Sequence, residues 1–255
     1  MIVCKSAAEI DRMRAPNELV ANVLAELAGM VVPGVTTADL DAAAERLVRA
    51  AGAEPAFKGY RGYPSTLCAS VNEQVVHGIP SARGLVEGDI ISLDMGVKLN
   101  GFYGDSAVTV PVGRVSEEAA TLLRVTRESL DKGIEQVRLG GRISDIGHAI
   151  QEHVEAHGFT VVREFVGHGI GAALHEDPQI ANYGEPGRGP RLAEGMVLAI
   201  EPMVNVGRPA VKVLADGWTA VTKDGSLSAH FEHTVAVTKS GPLVLTQRTV
   251  PAQAR

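Results

Sequence analysis

The chain has 255 residues, 45% of them hydrophobic, enough to bury one large core or two smaller ones. Its net charge of -6, without a long basic run, argues against nucleic acid as a primary partner, and two cysteines, Cys4 and Cys68, give no basis for a disulfide scaffold or a thiolate zinc site. The opening "MIVCKSAAEIDRMR" lacks the apolar core of a signal peptide, and no stretch reaches the ~18 apolar residues of a membrane helix, so a soluble cytoplasmic protein is expected.

In chain order, "SAAE" from Ser6 to Glu9 is a capping box opening a helix that runs towards "VVPG", with Pro16 expected to bend or interrupt it. Thr36 and Asp39 in "TTAD" open a second helix ending near Gly52. Strand-like stretches follow up to Val110, among them "DMGVKLNGFYGDS" from Asp94 to Ser106. Its Asn100-Gly101 pair is a strong hairpin signal, because a type I′ turn needs positive φ at both central residues. A two-residue loop sets Leu99 opposite Phe102, Gly96 opposite Asp105 and Asp94 opposite Ala107. Side chains alternate with period two, so Asp94, Gly96 and Asp105 point to one side, the two aspartates being diagonal neighbours with α-carbons roughly 7–8 Å apart.

Gly96 is expected to leave open space on that face. Two carboxylates converging beside a gap repel unless a proton or a cation sits between them. The alternative is a pair of solvated aspartates flanking a turn. Against it, "GDIISLDMGV" is almost wholly apolar, as for a strand covered on both faces, so Asp94 is expected to be buried with a partner.

From Ser116 the order of helix, turn and helix begins again, and the second half can be laid on the first. "PGVTTADLDAAAERLVRAAG" from Pro33 matches "LGGRISDIGHAIQEHVEAHG" from Leu139, setting Gly34 on Gly140, Asp39 on Asp145 and Gly52 on Gly158. "LVEGDIISLDMGV" from Leu85 matches "LAEGMVLAIEPMV" from Leu192, setting Asp94 on Glu201, and "YGDSAVTV" matches "HFEHTVAV", setting Asp105 on Glu232. Each half would then deliver a strand-borne carboxylate pair, and pseudo-two-fold packing would bring all four together. The expected architecture is a single domain over 1–255, with related halves of approximately 1–113 and 114–255.

Two histidine-bearing stretches remain. His153 and His157 in "HVEAH" sit four apart on a helix, but Val154 stands where a zinc-protease motif needs Glu, so they read as surface histidines. "GHGIG" lacks the spacing of a dinucleotide fingerprint, whereas His168 between two glycines is a ligand or catalytic candidate. One imidazole and four carboxylates make an oxygen-rich set suited to Mn, Fe or Co, and five such side chains suit a pair of ions roughly 3.5–4 Å apart.

At this point the chain resembles, over nearly its whole length, the type I methionine aminopeptidases of the pita-bread metallopeptidase superfamily. "FVGHGIGAALHEDPQIANY" fits that family's histidine-containing signature, and "CASVNEQVVHGIP" resembles its other well-marked segment. The resemblance implies an α+β pita-bread fold, two pseudo-two-fold-related halves with a central antiparallel sheet covered by helices. By matching motif, Asp94 would chelate the first ion, Asp105 and Glu232 would bridge, and His168 with Glu201 would complete the second. His77 and His175 match two active-site histidines that are not ligands, one serving the oxyanion or scissile amide and the other the leaving-side nitrogen, with the assignment between them open. Glu201 is the candidate proton shuttle.

"FKGYRGYPSTLC" resembles the family's methionine-binding loop, bringing Phe57, Tyr60, Tyr63 and Cys68 near the substrate side chain, with Trp218 from the second half. For Phe57 and Cys68 an ordinary apolar core is the competing reading. Relatives often carry an aromatic residue before His175, where this chain has Leu174.

The resemblance also implies two divalent ions (Co, Mn or Fe), hydrolytic release of N-terminal methionine from peptides and nascent polypeptides, and a small second residue. It implies a cytoplasmic monomer with room for transient ribosome contact. Prolidases share the fold but usually carry an extra N-terminal domain. Type II methionine aminopeptidases carry a long insertion between the last two glutamates, and non-catalytic pita-bread modules lose ligands. This chain has none of these marks.

Overall fold

In the computed structural model, which describes residues 1–247, helix α1 (Ala7–Met30) opens on the expected capping box. Ser6 Oγ accepts the Glu9 N–H at 3.3 Å and Glu9 Oε2 accepts the Ser6 N–H at 2.8 Å, satisfying two amides that the helix leaves free. Helix α2 (Thr37–Ala50) is capped in the same way by Thr36 and Asp39. Short strands β1 (Glu54–Pro55), β2 (Cys68–Val71) and β3 (Gln74–Val76) precede a long hairpin, β4 (Ile90–Leu99) and β5 (Phe102–Pro111). Helices α3 (Glu117–Ile134) and α4 (Ile143–Ala156) come next. The rest is strand and loop: β6 (Thr160–Val161), β7 (Gly167–Gly169), β8 (Glu176–Ile180), β9 (Val197–Ile200), β10 (Met203–Asn205), β11 (Val211–Val213), β12 (Ala220–Thr222), β13 (Ser228–His230), β14 (His233–Thr238) and β15 (Gly241–Val244). Residues 248–255 of the expected 1–255 domain lie outside the described residues.

The hairpin has the register read from its turn. Asn100 and Gly101 both take positive φ, 54° and 82°, and Leu99 faces Phe102, Gly96 faces Asp105 and Asp94 faces Ala107. Pro16 does not interrupt α1. It is buried where the helix lies on β5, and there Gly104 carries no side chain: a Cβ would stand 2.7 Å from the Pro16 carbonyl carbon. The helix is held from outside by the sheet, which offsets the hydrogen bond its proline cannot make.

All strand pairs are antiparallel. One sheet holds β1, β4, β2 and β5, another runs β15-β14-β9-β7-β8, and the isolated bridge Ala107–Glu232 joins them. Each half has its own apolar core between helices and sheet. Leu24, Leu27, Leu40 and Val48 pack on Leu93 and Met95 in the first half, and Leu122, Leu130, Ile146 and Ile150 pack with Leu198 and Ile200 in the second. Burying each such side chain contributes about 1.5–3 kcal/mol. The same pair of backbone bonds recurs in both halves: Gly34 N to Leu85 O (2.7 Å) with Leu85 N to Val35 O (2.8 Å), and Gly140 N to Leu192 O (3.0 Å) with Leu192 N to Gly141 O (2.8 Å).

Candidate active site

Strand register brings five side chains to one sheet face. Asp94 and Glu232 both lie opposite Ala107, and Asp105 is two residues from Ala107 on the same strand, so these three share a face. His233 faces Ile200 and His168 faces Ala199, so continuing the register by one residue sets Glu201 opposite Glu232, with His168 beside them. Hydrogen bonds across the halves pin this arrangement: Ser106 Oγ donates to Glu232 O (2.7 Å) and Thr234 Oγ1 to Asp105 O (2.8 Å). Gly167 and Gly169 flank His168 because strands crowd there: a Cβ on either would overlap the Ala199 or the Asp177 carbonyl oxygen.

Asp94, Asp105, His168 and Glu232 are buried, Glu201 is half-buried, and two of the carboxylate oxygens lack partners. Asp105 and Glu232 are each 3% exposed, and Asp105 Oδ1 and Glu232 Oε1 find no hydrogen-bond donor among the described residues. His168 Nδ1 donates to Gly169 O at 2.9 Å, which leaves the Nε2 lone pair facing Asp105 Oδ2 at 3.8 Å and Glu201 Oε1 at 3.7 Å. Asp105, His168 and Glu232 offer ligand atoms that all lie within 4.8 Å of one another. Burial, then Asp105, holds Asp94 well above the ordinary carboxylate range, and burial pushes Asp105 up to about 7. Glu201 and Glu232 are raised by burial and by the neighbouring carboxylates, while burial lowers His168 and keeps its imidazole neutral. Orphaned buried oxygens, mutually repelling carboxylates and a neutral imidazole with its outer nitrogen tied to a carbonyl are the donor set a divalent cation needs.

Around this face the chain closes a cavity of about 160 Å³. All the residues singled out in the sequence line it: Asp94, Asp105, His168, Glu201 and Glu232, His77 and His175, and Phe57, Tyr60, Tyr63, Cys68 and Trp218. Cys68 faces Asp94 across β2 and β4, and burial, then the Asp94 charge, keeps its thiol protonated. Tyr63 Oη lies 3.0 Å from Gly78 O and 3.1 Å from Leu67 O, and its ring meets Trp218 edge-on at 5.1 Å. The space opposite Asp105 is not open, contrary to expectation. Phe57 fills it, and a Cβ on Gly96 would stand 2.9 Å from its Cε1.

His77 takes φ of 61° and sits edge-on to Phe165 at 5.4 Å, with burial lowering its pKa to about 4. His175 stands at the exposed rim under Tyr60, whose ring stacks on it at 5.2 Å and whose Oη lies 2.9 Å from its Nδ1. Burial of the ring, then the nearby His168, holds His175 below the usual imidazole range.

Three further contributors escaped the sequence. Arg61 lines the cavity beside Tyr60, and the fully buried His230 brings Nε2 to 3.7 Å from Glu201 Oε2. Glu176 ties down the His175 loop, accepting from Lys5 Nζ (2.5 Å) and from Ala173 N (3.0 Å). All three fall within stretches quoted from the sequence, "FKGYRGYPSTLC", "HFEHTVAV" and "FVGHGIGAALHEDPQIANY", but nothing local to Arg61, His230 or Glu176 separates them from ordinary core and surface residues.

The sequence profile of Metallopeptidase family M24 matches residues 11–239. The chain is 55% identical over 247 residues to "Methionine aminopeptidase 1" of Bacillus subtilis, covering 97% of this chain and 100% of that one. It is 47% identical over 249 residues to "Methionine aminopeptidase 1" of Mycobacterium tuberculosis, covering 95% and 94%. Among solved structures, a methionine aminopeptidase from Thermotoga maritima superposes with a TM-score of 0.96 at 49% identity, covering 97% of this chain and all of that one. A prolidase from Pyrococcus furiosus shares the fold, with a TM-score of 0.79 at 23% identity, and this chain spans 65% of its length.

Proposed function

The chain belongs to metallopeptidase family M24 as one of its methionine aminopeptidases, metal-dependent hydrolases that remove N-terminal methionine, and we propose how its own residues divide that work. Two divalent ions, cobalt, manganese or iron, would be held by Asp94, Asp105, His168, Glu201 and Glu232. When bound, such ions lower the pKa of a coordinated water and polarise the carbonyl to be attacked. The observation that carries this reading is the shared sheet face, on which buried carboxylate oxygens of Asp105 and Glu232 have no donor among the described residues.

Around that centre Glu201 takes up the proton of the attacking water. His77 and His175, both neutral at pH 7 because burial lowers their pKa, offer N–H donors to the oxyanion or scissile amide and to the leaving-side nitrogen. Tyr60 and the Glu176–Lys5 pair hold His175 in position. Phe57, Tyr60, Tyr63, Cys68 and Trp218 receive the methionine side chain, a soft-walled aromatic pocket suited to a flexible thioether.

A small second residue is preferred, in keeping with the likeness to methionine aminopeptidases and with a cavity of only about 160 Å³ lined by His77 and His175. We take the chain to work as one catalytic domain over 1–255, with related halves of about 1–113 and 114–255, and as a monomer. Its substrates are nascent polypeptides and peptides of the cytoplasm, where two unpaired cysteines suit a reducing environment and transient ribosome contact gives access to new N-termini. No described helix is long and apolar enough to cross a membrane.

Metal analysis together with hydrolysis of Met-Ala-Ser, Met-Lys and Xaa-Pro peptides tests the reading. Metal-dependent release of Met from Met-Ala-Ser, with Met-Lys poorly cut, is expected. Equal cleavage of Met-Ala and Met-Lys removes the second-residue preference, and good cleavage of Xaa-Pro with Xaa other than Met removes the methionine pocket.

A further inference from the structure

Away from the catalytic cavity, a second group of metal-ligating side chains spans the two helices of the second half: Glu128 on α3, His153 on α4 and His157 at its C-cap. The four-residue spacing stacks both imidazoles on one helix face, with ring centroids 4.6 Å apart, and α3 packs alongside so that Glu128 meets them. Ligand atoms of the three residues all lie within 4.8 Å of one another. His153 Nε2 is 3.2 Å from Glu128 Oε2. Two donors each ~2.1 Å from a tetrahedral ion stand roughly 3.4 Å apart, so this pair needs almost no adjustment to share one.

The outer contacts also fit. His157 Nδ1 lies 2.8 Å from His153 O. A carbonyl only accepts, so Nδ1 carries the proton and the Nε2 lone pair is free, and a backbone carbonyl on the far nitrogen is how metal-bound imidazoles are commonly oriented. Arg124 Nη1 reaches both Glu128 oxygens, at 3.1 and 2.9 Å, so Oε1 stays anchored when Oε2 turns to an ion.

We propose that Glu128, His153 and His157 form a surface binding site for zinc, with two imidazoles, one carboxylate and an open fourth position for water. The donor set selects a nitrogen-preferring ion over magnesium or calcium, which take oxygen ligands. The ion clamps α3 to α4, and because it binds only the folded pairing it stabilises the second half by mass action. The site lies apart from the catalytic ligands and does not depend on their assignment.

The test is equilibrium dialysis of the full chain against zinc chloride, with bound zinc counted for the native sequence and for His157→Gln, His153→Gln and Glu128→Gln. The native protein is expected to bind one zinc equivalent more than His157→Gln at the same free zinc. Each histidine variant should lose affinity at this site by more than the ~10–100-fold typical of losing an outer-shell partner. With cupric ion as a second probe, electron paramagnetic resonance should show imidazole nitrogen coupling that His157→Gln weakens. His157→Gln should hydrolyse Met-Ala-Ser as the native protein does, which shows that the variant is folded and its catalytic centre filled. Equal zinc stoichiometry and affinity in the native protein and His157→Gln overturns the proposal and leaves the Glu128–His153 contact as a plain hydrogen bond.

Discussion

Removing the divalent ions should lower the melting temperature at pH 7.5 by an amount that shrinks as the pH falls. Asp94, Asp105 and Glu232 are buried with the half-buried Glu201 beside them, and the only basic groups within ion-pair distance of the four among the described residues are the imidazoles of His168 and His230. Asp105, ordinarily at 3.8, is pushed up to about 7 by burial. Keeping that one group ionised above pH 7 costs on the order of 4 kcal/mol relative to the unfolded chain, at about 1.4 kcal/mol per tenfold change in proton affinity. The folded pKa lies above the unfolded one, so the metal-free protein gains stability as pH drops from above about 7 towards about 4. Asp94, Glu201 and Glu232, raised by the same burial, act in the same direction.

A cation offsets this repulsion only in the folded state. At a hundredfold excess over Kd a single site adds ~2.7 kcal/mol. For a domain of this size that is an upward shift of roughly 5–10 °C, at about 2–4 °C per kcal/mol. At pH 5 protons occupy the same raised carboxyls and compete with the metal, so the shift contracts. The assay is a thermal melt of chelator-treated protein with and without Mn²⁺ at pH 7.5 and pH 5. No metal-dependent shift at pH 7.5, or an equal shift at both pH values, would refute the reasoning that four carboxylates share one cavity.

Three substitutions probe separate parts of the account. His175→Ala should lower kcat by ~10²–10³ while metal content stays full, because the imidazole serves as a donor and not as a ligand; loss of metal in that variant would make His175 a ligand. Asp105→Asn should reduce metal occupancy measured by elemental analysis, a neutral amide being the poorer ligand, and full occupancy would remove Asp105 from the centre. Gly104→Ala sets a Cβ 2.7 Å from the Pro16 carbonyl carbon and should cost about 1–3 kcal/mol, read as a lower melting temperature. An unchanged melt would mean that α1 does not rest on β5 as described.

Much of the site was legible because its parts are local. The register of the Asp94–Asp105 hairpin follows from two residues, Asn100 and Gly101, whose turn admits one strand alignment. The helix starts at Ser6 and Thr36 follow from capping chemistry that acts over three residues. The offset between the halves was visible as repeated glycines and acids, and it recurs in the backbone bonds of Gly34 and Gly140.

Gly96 was misread, and the interruption allowed for at Pro16 does not occur, because local rules describe an isolated element. A proline inside a helix is disruptive only if nothing else holds the helix, and a missing side chain makes a gap only if no distant ring enters it. His230 and the Lys5–Glu176 pair were invisible for a related reason: their partners lie 29 and 171 residues away in the chain, with no periodicity linking them.

By itself, then, the sequence determined the helix starts at Ser6 and Thr36 and the hairpin with its two aspartates on one face, while it paired Asp94 with Glu201 and Asp105 with Glu232 only by repeated spacing. Only the tertiary structure decided that these faces meet. Glu232 lies opposite Ala107 and His168 opposite Ala199 through pairings between segments far apart in the chain, whose alignment is set by the packing of both cores and not by any turn between them. Such register is a property of the whole fold, because slipping it by one residue turns these side chains away from the shared face.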